Sequence, residues 1–196
     1  MPLITTLAGA SARGYGGLRT FAVPGTYESI ATVTVGSGGA ANVEFTSIPA
    51  TYTHLQIRGI GKSAGASDSL DLTFNGDVGS SQYTYHSLYG NGSSAGSENN
   101  RPRANIPTTI TLVPSSDTNI FGAGIIDILD YTNTNKYTTV RIFAGQNVNS
   151  TSGEAIFLTS GLWMSTSAIT SITLTGRSGN IGQYSHFALY GIKGVA

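Results

Sequence analysis

Apolar and polar positions alternate most cleanly over residues 53–58, where Thr53, Leu55 and Ile57 share one parity and His54, Gln56 and Arg58 the other. A period of two is what a half-buried β-strand requires. Pro49 cannot donate to a ladder and marks the approach to this strand. Gly59 and Gly61 then lead into residues 62–69, made mostly of Ser, Ala and Gly. Strand followed by small-residue loop is the unit, and the chain repeats it.

The same pattern predicts strands over 27–35, 41–45, 70–74, 82–89, 108–113, 124–131, 137–145, 155–164, 169–175 and 186–193. Residues 27–35 and 41–45 are expected to pair as a hairpin across Gly36-Ser-Gly-Gly39. Asn75-Gly76 is a tight-turn dipeptide. Residues 90–105 read as a long polar loop. Residues 124–131 are apolar on both parities, Ile126 and Ile128 against Ile125 and Leu129, which predicts a central strand buried on both faces. No stretch of helical period with caps is present. The expectation is therefore an all-β domain, a β-sandwich or jelly roll of about ten antiparallel strands. Its predicted core is Leu55, Ile57, Leu72, Phe74, Ile126, Ile128, Ile142, Ile172, Leu174, Phe187 and Leu189.

Residues 1–26 have neither strand nor helix period, and Pro24-Gly25 ends them with a turn signal. They divide the chain into an extended N-terminal arm, 1–26, and a β-domain, 27–196. A solvated tail would carry more charge than this one. The arm is expected to order on a neighbouring subunit through Leu3, Leu7, Arg13, Tyr15, Leu18 and Phe21.

Composition narrows the function classes. Only 10% of the 196 residues are charged and the formal net charge is zero. Phosphate neutralisation needs a basic face, so nucleic-acid binding is not expected. Little charge and no net charge leave nothing to keep copies apart, which favours an oligomer or a part of a larger assembly. Ten Tyr, seven Phe and many Ile and Val distinguish the chain from a disordered one. With no Cys, neither a disulfide frame nor a thiolate metal site is available. No apolar run approaches the ~20 residues of a membrane-spanning helix, and the first residues lack a signal peptide's charged region, so assembly inside a cell is expected.

Candidate chemistry is sparse. His54, His86 and His186 lie in three separate strands without ligand spacing, so no metal or cofactor is expected. Asp127 and Asp130 have opposite parity and cannot flank one glycosidic bond from a single strand. Asp127 is expected to hydrogen-bond within the sheet and Asp130 to cap the turn that follows. No nucleophile elbow or phosphate-binding glycine loop is placed between a strand and a helix, and no catalytic residue is assigned. The tyrosines carry more information. Tyr83, Tyr85, Tyr89 and Tyr131 combine apolar area with a polar tip, suited to protein or sugar contacts, against the alternative that they pack at the sandwich edge. Trp163 is a further candidate for a sugar-binding platform.

Several segments resemble small virion proteins of tailed bacteriophages, notably those of cyanobacteria. They are Tyr27-Glu-Ser-Ile-Ala-Thr-Val-Thr-Val35, Ser47-Ile-Pro-Ala-Thr-Tyr-Thr-His-Leu-Gln-Ile-Arg58, Phe74-Asn-Gly-Asp77, Tyr85-His-Ser-Leu-Tyr-Gly90, Ser160-Gly-Leu-Trp-Met164 and Phe187-Ala-Leu-Tyr-Gly-Ile-Lys193. Gly9-Ala-Ser-Ala-Arg-Gly-Tyr-Gly16 is similar to the N-terminal segment of phage fibre proteins. The resemblance implies a non-enzymatic particle component, a homotrimeric β-sandwich held by its arm to other virion proteins of the tail or capsid and assembled in the host cytoplasm. A tail-fibre or receptor-contact role, with a host surface glycan as candidate partner, stands beside a head-decoration role. A free carbohydrate-binding module is the alternative of another class.

Overall fold

A computed structural model describes residues 26–66, 68–148 and 154–194. Twelve strands run in chain order: β1 (Tyr27–Thr34), β2 (Asn42–Phe45), β3 (His54–Gly61), β4 (Asp68–Phe74), β5 (Tyr83–Gly90), β6 (Ala95–Arg103), β7 (Ile106–Leu112), β8 (Gly122–Leu129), β9 (Thr138–Gln146), β10 (Ala155–Trp163), β11 (Ile172–Gly176) and β12 (His186–Ile192). They form two antiparallel sheets. The larger, of eight strands, has the order β1-β12-β3-β8-β9-β10-β5-β6, and the smaller, of four, β2-β11-β4-β7. The chain is thus an all-β sandwich, as the alternation requires.

The core lies between the sheets. Leu55, Ile57, Leu72, Phe74, Ile126, Ile128, Ile142, Ile172, Leu174, Phe187 and Leu189 are all buried, so every parity assignment for the core holds. The layers approach closely because small residues stand where the opposing strand presses in. Ile110 of β7 sits over Gly124 of β8, where an added Cβ would lie 2.6 Å from its Cγ1. Ile106 meets Gly161 of β10 in the same way, at 2.8 Å. Real Cβ atoms do not approach so near, so each glycine makes room for a β-branched partner across the core.

The structure corrects three expectations. First, residues 27–35 and 41–45 do not form a hairpin. β1 pairs with β12 and β2 with β11, in different sheets. Both strands have an apolar parity, but those parities face the same core from opposite sides, so residues 36–39 cross between layers. Second, the polar stretch 90–105 contains β6, paired along β5 at the sheet's edge. Almost all of β6 is exposed, so no hydrophobic period reports it; backbone hydrogen bonds to β5 hold it in place. Third, β8 is central in its sheet but covered on one face only. Its outward Ile125 and Leu129 are only part-covered by their neighbours.

Asn75 and Gly76 both have positive φ, 52° and 68°, and close a turn in which the Asp77 amide donates to the Phe74 carbonyl at 2.8 Å. That turn also leads between sheets, from β4 to β5. The Asn75 side chain then ties down the approach to β11, accepting from the amides of Thr170 and Ser171 and donating to the Ala168 carbonyl. The last strand, β12, lies between β1 and β3 and is paired on both sides.

Candidate interaction surface

The tyrosines proposed as surface contacts are placed mainly in the core. Tyr83 and Tyr131 are fully buried, Tyr85 is nearly so, and Tyr89 is half-buried. Their parity is the reason: Tyr83, Tyr85 and Ser87 share the inward parity of β5. Tyr83 joins Phe74 and Trp163 in an aromatic cluster, with ring centroids 5.4 Å apart for Phe74 and Trp163. Its polar tip is satisfied internally. The hydroxyl donates to the Asp77 carbonyl at 2.9 Å and accepts from the Phe74 amide at 3.0 Å. Trp163 Nε1 donates to the Asp77 carboxylate at 2.9 Å. Burial raises the Tyr83 phenol pKa well above the ordinary value. Tyr131 donates to the Pro49 carbonyl. Trp163 is likewise buried and offers no sugar platform.

Tyr85 carries Arg103 over its ring at 5.5 Å, and Tyr89 packs on Phe157 with centroids 6.0 Å apart. Tyr89 also covers Gly96 of β6, its cross-strand partner. These two tyrosines hold the β5–β6 edge together. The arm residues Leu3, Leu7, Arg13, Tyr15, Leu18 and Phe21 lie outside the described residues.

What the fold does present is the outer face of the eight-stranded sheet, where cross-strand pairs align in rows. One row reads Ala188, Arg58, Ile125, Phe143, Leu158, Leu88 from β12 to β5. The next, toward the Gly61 end of β3, reads His186, Ile60, Ala123, Gly145, Ile156, Gly90. On the other side lies a polar row: Tyr190, Gln56, Asp127, Arg141, Ser160, His86. An antiparallel sheet with one solvated face normally alternates apolar-in and polar-out. Two adjacent rows here break that rule.

The polar row is largely paired within itself. Gln56 Nε2 donates to Asp127 at 2.7 Å, and Arg141 donates to the Ser160 hydroxyl at 2.8 Å. Tyr27 stacks on Tyr190 at 4.7 Å, donates to Gln56 at 2.6 Å and lies under the Arg58 guanidinium. Burial raises the Tyr27 phenol, against the lowering effect of Arg58. Asp127 is therefore bonded within the sheet, as expected from its parity. Asp130, at positive φ, closes the next turn through its carbonyl to the Asn133 amide, and its carboxylate meets Lys136 and His54. The Lys136 hydrogen bond holds that carboxyl below its ordinary value.

Among the described residues, no three His, Cys, Asp or Glu side chains stand together to hold a metal ion. His54 and His186 belong to neighbouring strands, but at opposite ends of them. At the loop end of the sandwich, Ser37, Lys62, Asn119, Phe121 and Tyr184 line a groove of about 380 Å³. Lys62 is held there by the Asp117 carbonyl and by the Phe121 ring, 5.7 Å away, while Tyr184 projects into solvent.

The outward residues Leu88, Phe143, Ile156 and Leu158 were not singled out from sequence. The signal was present as apolar residues on the solvent parity of β5, β9 and β10. No protein-family model, curated protein or solved structure matches the chain.

Proposed function

We propose that this chain is a non-enzymatic structural component of a bacteriophage particle, a surface β-sandwich anchored by its N-terminal arm. The observation that carries the assembly part of this reading is the apolar outer face on a chain of zero net charge. A contiguous apolar patch rimmed by polar residues marks contact with other proteins. The phage assignment rests on the segments that resemble virion proteins. The jelly-roll form of the sandwich is proposed from the number of strands and their polar turns.

Within the particle, the proposed place is a tail fibre in contact with the host. The loop-end groove around Lys62, Phe121 and Tyr184 supports it, because polar groups beside the exposed Tyr184 ring suit a surface glycan. A head-decoration role is the second reading. It draws on the same apolar face and has no use for the groove. The carbohydrate-module reading loses the residues first put forward for it, since Trp163, Tyr83 and Tyr85 are core.

Deletion of residues 1–24 tests the arm. The truncated β-domain should stay folded and fail to enter particles; normal incorporation would sink the anchoring role. Labelling the protein on intact particles then distinguishes tail from head.

A further inference from the structure

We propose that the two apolar rows on the outer face of the eight-stranded sheet are a self-association surface, and that its occupant is the same face of a second copy of this chain. The inference deepens the assembly reading by naming the surface and the partner. It does not depend on where in a particle the protein sits.

The composition of the face is that of an interface core with a rim. Leu88, Phe143, Ile156 and Leu158 are each more than half exposed, at 56%, 54%, 52% and 54%. Ile60 adds a further 44%. Around them the surface turns polar on three sides. The Gln56-to-His86 row, continued by Asn99 of β6, flanks it along the strands, Thr32 and Thr34 of β1 close one edge, and Ser97 of β6 stands at the other. An apolar centre inside a polar border is how protein interfaces are built.

Relief argues for a second copy and against a small ligand. Phe143, Leu158 and Leu88 stand in line as a ridge across β9, β10 and β5. Beside it lies a depression of about 580 Å³, lined by Ile60, Ala123, Ile125, Gly145, Ile156 and Ala188 among others. The floor is low because Ala123, Gly145 and Ala188 have almost no side chain. A small-molecule pocket would carry a few convergent polar groups, and here the polar side chains, Arg58, His186 and Tyr190, all come from β3 and β12 at one side of the depression. Ridge and depression lie side by side on one face, so each copy offers the knob that the other's hole requires. A contact between identical surfaces needs that self-complementarity.

Size and charge fit the same partner. Two rows, each spanning two residues of about 3.4 Å along six strands at about 4.8 Å spacing, give an apolar centre of roughly 400 Å², and the polar border extends the whole face to roughly 900 Å². A standard interface uses about 800 Å² per partner. The charges on the face are few and of both signs, Arg58 and Arg141 with Asp127, so repulsion between two copies is small.

The test uses the full chain. Sedimentation and native mass measurement should find wild type at twice the mass of the 20.3 kDa chain, because a face that meets its own copy pairs two chains, and a trimer overturns the proposal. Phe143→Glu with Leu158→Glu should reduce it to a single chain with an unchanged circular dichroism spectrum. A wild-type monomer across a concentration series, or a double variant that keeps the wild-type mass, overturns the proposal. So does loss of the oligomer on deleting residues 1–24 while the double variant retains it, because the arm is then the contact. Should the charged variant fail to fold, Phe143→Cys decides, since the chain has no other cysteine. Mild oxidation of a mixture of the Phe143→Cys chain with an Ala123→Cys chain should cross-link ridge to depression far faster than a mixture of Phe143→Cys with Asn133→Cys on the turn after β8; equal rates refute the surface. Particle incorporation is a separate readout: a face variant that is monomeric yet incorporates sustains this surface and counts against its need in assembly.

Discussion

Leu55→Ala is the most direct test of how the sandwich is held together. Leu55 is completely buried on β3, in register with Ile128 of β8 on one side and Gly191 of β12 on the other. The substitution removes three carbons, about 2.4 kcal/mol at about 0.8 kcal/mol each. A cavity term adds to this, because a core spanned by two hydrogen-bonded sheets collapses little around a void. The expected loss is about 3 kcal/mol, within the range of roughly 2–5 kcal/mol seen for such truncations. That is a large part of a typical domain's stability of about 5–15 kcal/mol. Urea unfolding should show a lower midpoint with an unchanged slope, and the melting temperature should fall by roughly 6–12 °C. Adding Ile128→Ala should cost less than its separate value, since the two deletions open one shared cavity. A Leu55→Ala loss under about 0.5 kcal/mol, the scale of surface substitutions, would mean that this side chain is not in the core.

Three further outcomes are expected. Gly124→Val should destabilise by about 1–3 kcal/mol in urea unfolding, because its side chain would overlap Ile110 and Ala144; a neutral result would deny the close approach of the sheets. Removing residues 187–196 should yield insoluble protein, since it strips β12 from between β1 and β3 and bares both edges, whereas trimming residues 195–196 should be harmless. A soluble, cooperatively melting protein ending at His186 would refute this. Asp68 is half-buried, which raises its carboxyl pKa, but the Ser178, Ser69 and Gly179 amides and the Ser178 hydroxyl donate to it and the net shift is downward. A depressed folded pKa gives stability that is present above the ordinary carboxylate pKa of about 4 and is lost as pH falls through the folded value. The melting-temperature gap between wild type and Asp68→Asn should therefore be widest near neutral pH and shrink in acid; a gap constant with pH would show that the charge is not the source.

Alternation along the chain determined by itself which residues share a face, because a strand's two parities point to opposite faces whatever its partners are, and where one parity was clearly the more apolar it named the core. That is why Leu55, Ile57, Phe74, Ile128 and Phe187 were legible one strand at a time. Turn chemistry was legible for the same local reason: Asn75 and Gly76 tolerate positive φ, so the bend there needs no partner to specify it. Pairing is different. Which strand lies beside which depends on backbone hydrogen bonds that every sequence can make, so β1 and β2, close along the chain, were free to settle in opposite sheets. β6 is held by those hydrogen bonds and by Tyr85 and Tyr89 of its neighbour, and its own residues, without an apolar face, gave no pattern to read.

The candidate surface shows the limit most plainly. Parity tells that Tyr83 and Tyr85 lie opposite Leu88, and that Phe143 lies opposite Ile142. It does not tell which parity meets a second layer. Only the placement of the four-stranded sheet decided that, by covering Tyr83 and leaving Leu88, Phe143 and Leu158 outside. Their alignment into one ridge came from the register of β9, β10 and β5, a property of three strands that none of them carries alone.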